Sequence, residues 1–164
     1  IPFEYTGVDI NIQPHIQALQ WSFIQRFKQN KVVLLEENSL NYLRDCNEKF
    51  DIILIDGDHN YETISRECKE LKKISHANTL FIFDDYYGKY SNVDQFYYEK
   101  EGYENNSLIM IKETNGSKQG VKTAVDEFIE KDGSLKMFTL MHGEPVCVID
   151  KNNTLIKLED NNGS

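Results

Sequence analysis

The sequence is poor in positive charge: its 164 residues carry 18 Lys and Arg against 27 Asp and Glu, a formal net charge of −9. No basic run offsets this balance, and non-specific nucleic-acid affinity depends on Lys and Arg that neutralise phosphates. Long apolar runs are also absent, because residues 50–55 and 79–83 reach only five or six residues. A membrane-spanning helix needs roughly 20. We therefore expect neither nucleic acid nor a membrane among the partners.

Cysteine is scarce as well, with three widely spaced residues at Cys46, Cys68 and Cys147. An odd and scattered set matches neither a disulfide framework nor a zinc-binding pattern. The sequence also opens without the basic, apolar and small-residue regions of a secretory leader. We expect reduced thiols in a cytoplasmic protein, with Cys68 and Cys147 in its core.

What the sequence does contain is enough for a folded core, since 40% of the residues are hydrophobic and 12% are aromatic. The length predicts one domain over residues 1–164. Short apolar runs alternate with amphipathic helical patterns, which is typical of a parallel sheet covered on both faces. The predicted strands lie at residues 4–10, 31–35, 50–56, 79–83, 107–112, 136–141, 146–150 and 154–158. The predicted helices begin at Pro14 and after Ser39, and lie at residues 60–75, 93–101 and 121–131.

The fold class predicted from this order is α/β, a doubly wound and mostly parallel sheet. Short turns join the last strands, so the sheet should close with an antiparallel C-terminal edge. Three of the parallel strands end in acids, at Asp9, at Asp56, and at Asp84 with Asp85. Ligands of such sheets bind outside the carboxyl ends of the strands. These acids are therefore the first candidates for a functional site.

Carboxylates that converge at one sheet edge repel one another unless a cation or protons intervene. Oxygen ligands at an open edge suit Mg²⁺, Mn²⁺ or Ca²⁺ better than zinc. Loop acids that cap helices and remain solvated are the alternative reading, and it stays open at this point. The aromatic residues that follow Asp85 likewise either line an acceptor pocket or pack in the core.

The segment FDIILIDGDHNYETISRECKELKKISHANTLFIFDDYYG, residues 50–88, resembles the fourth and fifth strands of class I S-adenosylmethionine-dependent methyltransferases. It is most similar to the branch related to macrocin O-methyltransferase, and more distantly to the catechol and caffeoyl-CoA O-methyltransferases. YTGVDIN, residues 5–11, resembles the second strand of the family with its ribose-binding acid. GVKTAVDEFI, residues 120–129, resembles the helix before the last two strands. The likeness covers residues 4–150 and implies a Rossmann-like fold.

The resemblance also implies a role for individual residues. S-adenosylmethionine would be bound through its ribose and its adenine, and a divalent cation such as Mg²⁺ would hold the acceptor hydroxyl. A general base would then take the hydroxyl proton. The implied residues are Asp9 for the ribose, Asn38 and Ser39 for the adenine, Asp56, Asp84 and Asp85 for the metal, and Asp58 or His59 for the base. Asp56 is also counted among the residues that bind the cofactor.

The sequence departs from this family in one respect: no Gly-rich turn follows a first strand. In the family that strand lies at the centre of the sheet, so we expect a gap between the strands at residues 4–10 and 50–56. The chain begins with Ile1 rather than Met, and the expected explanations are an upstream segment outside this sequence or a degenerate relative that binds the cofactor weakly. Residues 91–120 are predicted to be an insertion that forms a lid or an interface.

Two functions follow from these observations. The first is a metal-assisted O-methyltransferase that acts on a small hydroxylated molecule. The alternative is a non-catalytic, methyltransferase-like interaction module of a larger protein. As further partners we expect either a second copy of the chain or an upstream domain of the same protein.

Overall fold

The computed structural model describes residues 2–139 and 143–156. It is a mixed α/β structure in which strands and helices alternate, as the sequence predicted. In chain order the elements are β1 (Glu4–Asp9), α1 (Pro14–Arg26), β2 (Lys31–Glu36), α2 (Ser39–Asp45), β3 (Ile52–Ile55), α3 (Tyr61–Leu71), β4 (Leu80–Phe83), α4 (Gly120–Lys131), β5 (Leu135–Thr139) and β6 (Val146–Asp150). Single turns of 3-10 helix lie at Lys72–Ile74 and Tyr97–Glu99.

The strands of the described residues form two sheets. β1 and β2 pair in parallel, and the second sheet has the order β3-β4-β6-β5. β3 and β4 are parallel, whereas β6 runs antiparallel to both of its neighbours, β4 and β5. The doubly wound sheet with an antiparallel C-terminal edge is thus confirmed.

The core lies between the larger sheet and the helices α3 and α4. Apolar residues recur along both helices at three- and four-residue spacing, so each helix turns one stripe toward the sheet. The side chains of Leu71, Phe83, Val125 and Val148 are fully buried there. All three cysteines are buried and free, which confirms the core positions expected for Cys68 and Cys147.

A slot separates the two sheets, and β1 and β3 form its walls. Its volume is about 1350 Å³. In the described part of the chain, β1 pairs only with β2 and β3 only with β4, so each strand presents one unpaired edge. The side chains of Ile52 and Leu54 on β3 are both 62% exposed. The gap expected between these strands is therefore present.

Some predicted elements differ from the structure. Residues 107–112 are not a strand: residues 107–108 form a turn, in which the Asn106 side chain accepts the Leu108 N–H at 2.9 Å, and residues 109–112 have no regular secondary structure. Of the helix expected at residues 93–101, only the turn Tyr97–Glu99 forms. Residues 154–156 are not a strand, since Asn153 Oδ1 accepts the N–H groups of the two residues Leu155 and Ile156. Residues 140–141 and 157–158, which end two predicted strands, lie outside the described residues.

Among the residues described, no helix has the length and apolar character that crossing a membrane requires.

Candidate functional site

Three ligand-type side chains meet at the carboxyl ends of β3 and β4. Ile55 is paired with Phe83 in the parallel register, so the next residues of the two strands, Asp56 and Asp84, lie side by side. One atom each from Asp56, His59 and Asp84 falls within 4.8 Å of the others. Burial and the neighbouring Asp84 carboxylate raise the pKa of Asp56. The convergence of carboxylates that the sequence predicted is therefore present at this edge.

The His59 imidazole lies between two carboxylates and is 9% exposed. Its Nε2 is 3.4 Å from Asp56 Oδ1 and its Nδ1 is 3.2 Å from Asp85 Oδ2. Among the described residues, neither ring nitrogen has a partner with hydrogen-bond geometry. The ring also stacks on Tyr90, with the centroids 5.5 Å apart. The imidazole is thus packed against Tyr90, with one ring nitrogen within 4.8 Å of a carboxylate oxygen of both Asp56 and Asp84.

Asp85 reaches His59 through an unusual backbone conformation. Its φ is 53°, in the left-handed region that residues with a Cβ seldom adopt. A Cβ on Gly88 would collide with the Asp85 carboxylate, so a larger residue at position 88 would displace that carboxylate from its present place. The metal-binding role expected of Asp85 remains a prediction, and in this structure its carboxylate faces the imidazole rather than joining the group of Asp56, His59 and Asp84.

Asp58, the expected general base, is held by two hydrogen bonds. Its Oδ1 accepts the Tyr97 main-chain N–H at 3.0 Å, and its Oδ2 accepts the Thr63 hydroxyl at 3.2 Å. Burial raises the pKa of Asp58, although these hydrogen bonds and the nearby His59 act in the opposite direction. A carboxyl group with a raised pKa is better matched to proton transfer near neutral pH than an exposed one.

Asp9 lies at the carboxyl end of β1, on the other side of the slot. Its Oδ1 accepts the Asn11 N–H at 2.8 Å, which orients the carboxylate. Burial, together with the charges of Asp9, Asp56 and Asp58, raises the pKa of Tyr97 to about 12. The Tyr97 N–H donates to Asp58 just past β3, and the Tyr97 ring lies 5.6 Å from that of Tyr103, whose hydroxyl accepts a hydrogen bond from Asn11 just past β1. Tyr97 therefore lies between the carboxyl ends of these two strands.

Asn38 and Ser39 already have protein partners. Asn38 Oδ1 caps α2 by accepting the Leu40 N–H at 2.9 Å, and its Nδ2 donates to the Leu108 carbonyl at 2.8 Å. The Ser39 hydroxyl donates to Glu67 Oε1 at 2.6 Å. The helix cap is thus Asn38 and not Ser39, and the adenine contacts expected of both remain a prediction. Glu67 was missed in the sequence because it resembles the solvated acids elsewhere on α3.

Part of the expected insertion, residues 91–120, lies over this edge. The Gln95 N–H donates to the His59 carbonyl at 3.0 Å, and Asn106 Nδ2 donates to the Ile10 carbonyl at 3.0 Å. Asn11 Nδ2 donates to the Tyr103 hydroxyl at 3.2 Å. The segment therefore covers the ends of both β1 and β3, and of its aromatic residues Tyr97 faces the site. Tyr86, in contrast, is fully buried in the core.

Comparison with known proteins agrees with this architecture. A family model described as a methyltransferase domain matches residues 3–86, which are 84 of the 164 residues. No curated protein matches the chain.

Solved structures share the fold at low sequence identity. A Corynebacterium glutamicum protein is 10% identical with a TM-score of 0.54, and the match covers 92% of this chain and 71% of that one. An O-methyltransferase from Bacillus cereus, solved with SAH, is 15% identical with a TM-score of 0.50, over 92% of this chain and 74% of the other. An SAH-bound methyltransferase from Podospora anserina is 14% identical with a TM-score of 0.49, over 92% and 72% of the two chains.

Proposed function

The chain belongs to the methyltransferase-domain family, and we propose that it transfers a methyl group from S-adenosylmethionine to an oxygen of a small hydroxylated molecule. The observation that carries the proposal is the meeting of Asp56, His59 and Asp84 within 4.8 Å at the end of the sheet. The Bacillus cereus O-methyltransferase, which was solved with SAH, supports the choice of cofactor and of reaction. More narrowly, the IDGDH and DDY strand ends favour the branch related to macrocin O-methyltransferase.

The residues present fit a divalent cation. The two carboxylate oxygens suit Mg²⁺ or Mn²⁺, and the imidazole nitrogen favours a transition ion such as Mn²⁺ over Mg²⁺. Asp56 and Asp84 would hold the ion, His59 Nε2 would be the third ligand, and Asp85 would fix the imidazole through Nδ1, as carboxylates commonly do for metal-binding histidines. When bound, such an ion stabilises the negative charge on the acceptor oxygen.

Asp58 is the general base in this proposal. Its carboxylate is partly buried next to the metal-binding group and is oriented by Thr63 and by the Tyr97 main chain. His59 is the other candidate, but a nitrogen that binds a cation cannot accept a proton at the same time. Asp9 would accept hydrogen bonds from the ribose hydroxyls of the cofactor. The covering segment, which is the part of residues 91–120 that lies over this edge, would exclude water and hold the acceptor in line with the methyl group.

The non-catalytic alternative is favoured by one observation, the open slot between β1 and β3. A slot between the two sheets leaves the proposed cofactor site with one wall incomplete. The three buried, free cysteines are consistent with work in a reducing compartment such as the cytoplasm under either function. A second copy of the chain is a further proposed partner, and sedimentation, described below, tests for it.

Calorimetric titration of S-adenosylhomocysteine into the natural full-length protein tests the proposal. We expect binding that weakens about 10- to 100-fold in Asp9→Ala, because a charge-assisted hydrogen bond is lost. The exposed Asp45→Ala is the matched control and should bind normally. Asp84→Ala should keep S-adenosylhomocysteine binding but lose binding of Mn²⁺, titrated separately. Sedimentation of the same samples gives the oligomeric state. A full-length protein that does not bind S-adenosylhomocysteine would support the interaction module instead.

A further inference from the structure

Tyr86 follows the two acids at the end of β4, and its side chain is fully buried in the core. Its hydroxyl nevertheless has two polar partners, and both lie on α4. The hydroxyl donates to Asp126 Oδ1 at 2.5 Å and accepts from Lys122 Nζ at 2.8 Å. Lys122 and Asp126 also pair with each other, with 2.7 Å between Nζ and Oδ2. The chain just past β4 is therefore tied through one phenol to an ion pair on the helix.

The hydroxyl distinguishes Tyr86 from a residue that only fills the core. A phenylalanine would bury the same ring, but it would have no bond to the ion pair. Burial and the Asp126 carboxylate raise the pKa of Tyr86, although Lys122 acts in the opposite direction. The phenol therefore stays protonated at neutral pH and donates to a charged acceptor, which makes a stronger bond than a neutral acceptor does.

The main chain that follows Tyr86 is fixed as well. The Tyr86 carbonyl accepts the Ser91 hydroxyl at 2.8 Å, and both residues are buried. The next N–H group, that of Tyr87, donates to the Glu144 carbonyl at 2.8 Å, which joins this loop to the residues before β6. The loop after β4 is thus held by α4, by its own turn and by the end of the sheet, and these contacts meet at Tyr86.

Asp85 lies between this anchor and the strand. On its other side, the Asp84 N–H donates to the Ile55 carbonyl at 3.0 Å, which continues the pairing of β3 with β4. Asp85 alone connects the two fixed points, and it has the left-handed φ of 53°. A residue with a Cβ keeps such a conformation only where its surroundings impose it. The fixed position of Tyr86 supplies that constraint.

The conformation of Asp85 decides where its carboxylate lies. In this structure Oδ2 is 3.2 Å from His59 Nδ1, and Asp85 and His59 are both buried. In a right-handed or extended conformation, the Asp85 side chain would leave the main chain in another direction and move away from the imidazole. The other nitrogen of the same ring, Nε2, lies 3.4 Å from Asp56 Oδ1. A change at Tyr86 therefore reaches the group of Asp56, His59 and Asp84 through Asp85.

We propose that Tyr86 is a positioning residue for this group. Its hydroxyl, held by the ion pair on α4, keeps Asp85 in the left-handed conformation, and the Asp85 carboxylate in turn keeps the His59 imidazole beside Asp56. The inference rests on the proposed function, because the group that Tyr86 orients is the metal-binding group proposed there. It gives α4, which carries none of the proposed site residues, a part in the geometry of the site.

Mn²⁺ titration followed by electron paramagnetic resonance tests this role in the full-length protein, after metal has been removed with EDTA and the EDTA by dialysis. Tyr86→Phe removes the hydroxyl and keeps the ring. We expect it to bind Mn²⁺ about 10-fold more weakly, because loss of a group that orients a metal ligand weakens binding by 10- to 100-fold. Tyr87→Phe is the matched control and should bind normally, since Tyr87 is 52% exposed and packs its ring against Tyr86. Equal affinity in the two variants would overturn the proposal.

A double-mutant cycle shows whether Tyr86 acts through α4. Asp126→Ala should also weaken Mn²⁺ binding by up to about 10-fold, and the double variant should be no weaker than the weaker single variant, because both substitutions remove the same bond. Asp126→Asn keeps an oxygen that accepts the phenol O–H, so it should retain most of the affinity. Independent effects, which would multiply to about 100-fold, would overturn the link through Asp126.

A general loss of stability must be distinguished from a positioning role. Val125→Ala truncates a fully buried side chain on the same helix and removes no polar partner of Tyr86. If it weakens Mn²⁺ binding as much as Tyr86→Phe does, Tyr86 is a structural residue only and the proposal is overturned. NMR of the metal-free protein gives a second measurement. The ring signals of His59 should shift in Tyr86→Phe and stay in place in Tyr87→Phe and Val125→Ala.

These outcomes separate the inference from the proposed function. If the unsubstituted protein does not bind Mn²⁺, the metal in the proposed function is contradicted, and the His59 signals of the metal-free variants still decide the role of Tyr86. If Tyr86→Phe leaves the His59 signals unchanged and binds Mn²⁺ and S-adenosylhomocysteine normally, the proposed function stands and the role of Tyr86 is overturned.

Discussion

The two halves of the molecule use the same kinds of elements and bury them to different extents. In the closed half, which comprises β3 to β6 with α3 and α4, side chains such as Leu71 and Val125 are fully buried. In the open half, which comprises β1, α1 and β2, the helix has no buried residue, and Leu19 and Trp21 are more than 60% exposed. The comparison shows that an apolar pattern becomes a core only where a second layer covers it.

The largest expected effect comes from truncating one leucine in each half. Leu71→Ala should lower the free energy of unfolding by about 2–5 kcal/mol, because it leaves a cavity in a fully packed site. Leu19→Ala should change it by less than about 0.5 kcal/mol, since that side chain is 63% exposed. Urea unfolding of residues 1–164 at pH 7 measures both. Similar losses in the two variants would contradict the division into a closed and an open half.

The free energy of unfolding should depend on pH through Glu67, which lies on α3 and lines the slot between the closed and the open half. Burial raises the pKa of Glu67 from 4.5 to about 7. At pH values between these two pKa values, Glu67 binds more protons in the folded state than in the unfolded state. The free energy of unfolding therefore falls as the pH rises. The expected loss is about 3 kcal/mol at full ionisation. Urea unfolding of residues 1–164 between pH 5 and pH 8 in EDTA should show this loss, and the curve of Glu67→Gln should lack it. Parallel curves for the two proteins would contradict the buried state of the carboxylate.

A smaller effect is expected where the covering segment joins the closed half. Asp94 Oδ1 accepts the N–H groups of Tyr61 and Gly120, both at 2.8 Å, and so ties together the first turns of α3 and α4. Asp94→Asn should cost about 1 kcal/mol, because charge-assisted hydrogen bonds become neutral ones. The exposed Asp45→Asn is the control, with an expected change below about 0.5 kcal/mol. If Asp94→Asn and Asp45→Asn show the same loss of stability in thermal unfolding, the covering segment is not anchored through Asp94.

Much of the fold was predictable from the sequence, because strand and helix signals are local. The 3-4 spacing on α3 and the runs IILI and LFIF in β3 and β4 were sufficient to place the parallel pair. Residues 107–112 were not predictable in the same way. Their apolar side chains Ile109 and Ile111 are buried as a strand's would be, but residues 107–108 form a turn on the Asn106 side chain and residues 109–112 pair with no strand.

The candidate site was predictable in its members but not in their arrangement. Strand ends in a parallel sheet share one edge, so Asp56 and Asp84 were expected to meet. The left-handed backbone of Asp85 and the position of its carboxylate 3.2 Å from His59 Nδ1 are set only when the loop packs. Glu67 could not be distinguished from the solvated acids of α3 until α2 was placed against it.

The sequence by itself determined the α/β class, the order of elements from β1 to β4 and from α4 to β6, and the acids at the strand ends, because these depend on periodicity and on residue type within short windows. Only the tertiary structure decided that His59 joins Asp56 and Asp84, that Asp85 turns to the imidazole, and that β1 and β3 face each other across an open slot. The physical reason is that contacts between residues distant in the chain form only when layers pack, and packing also determines which polar groups lose water and which strand edges remain unpaired.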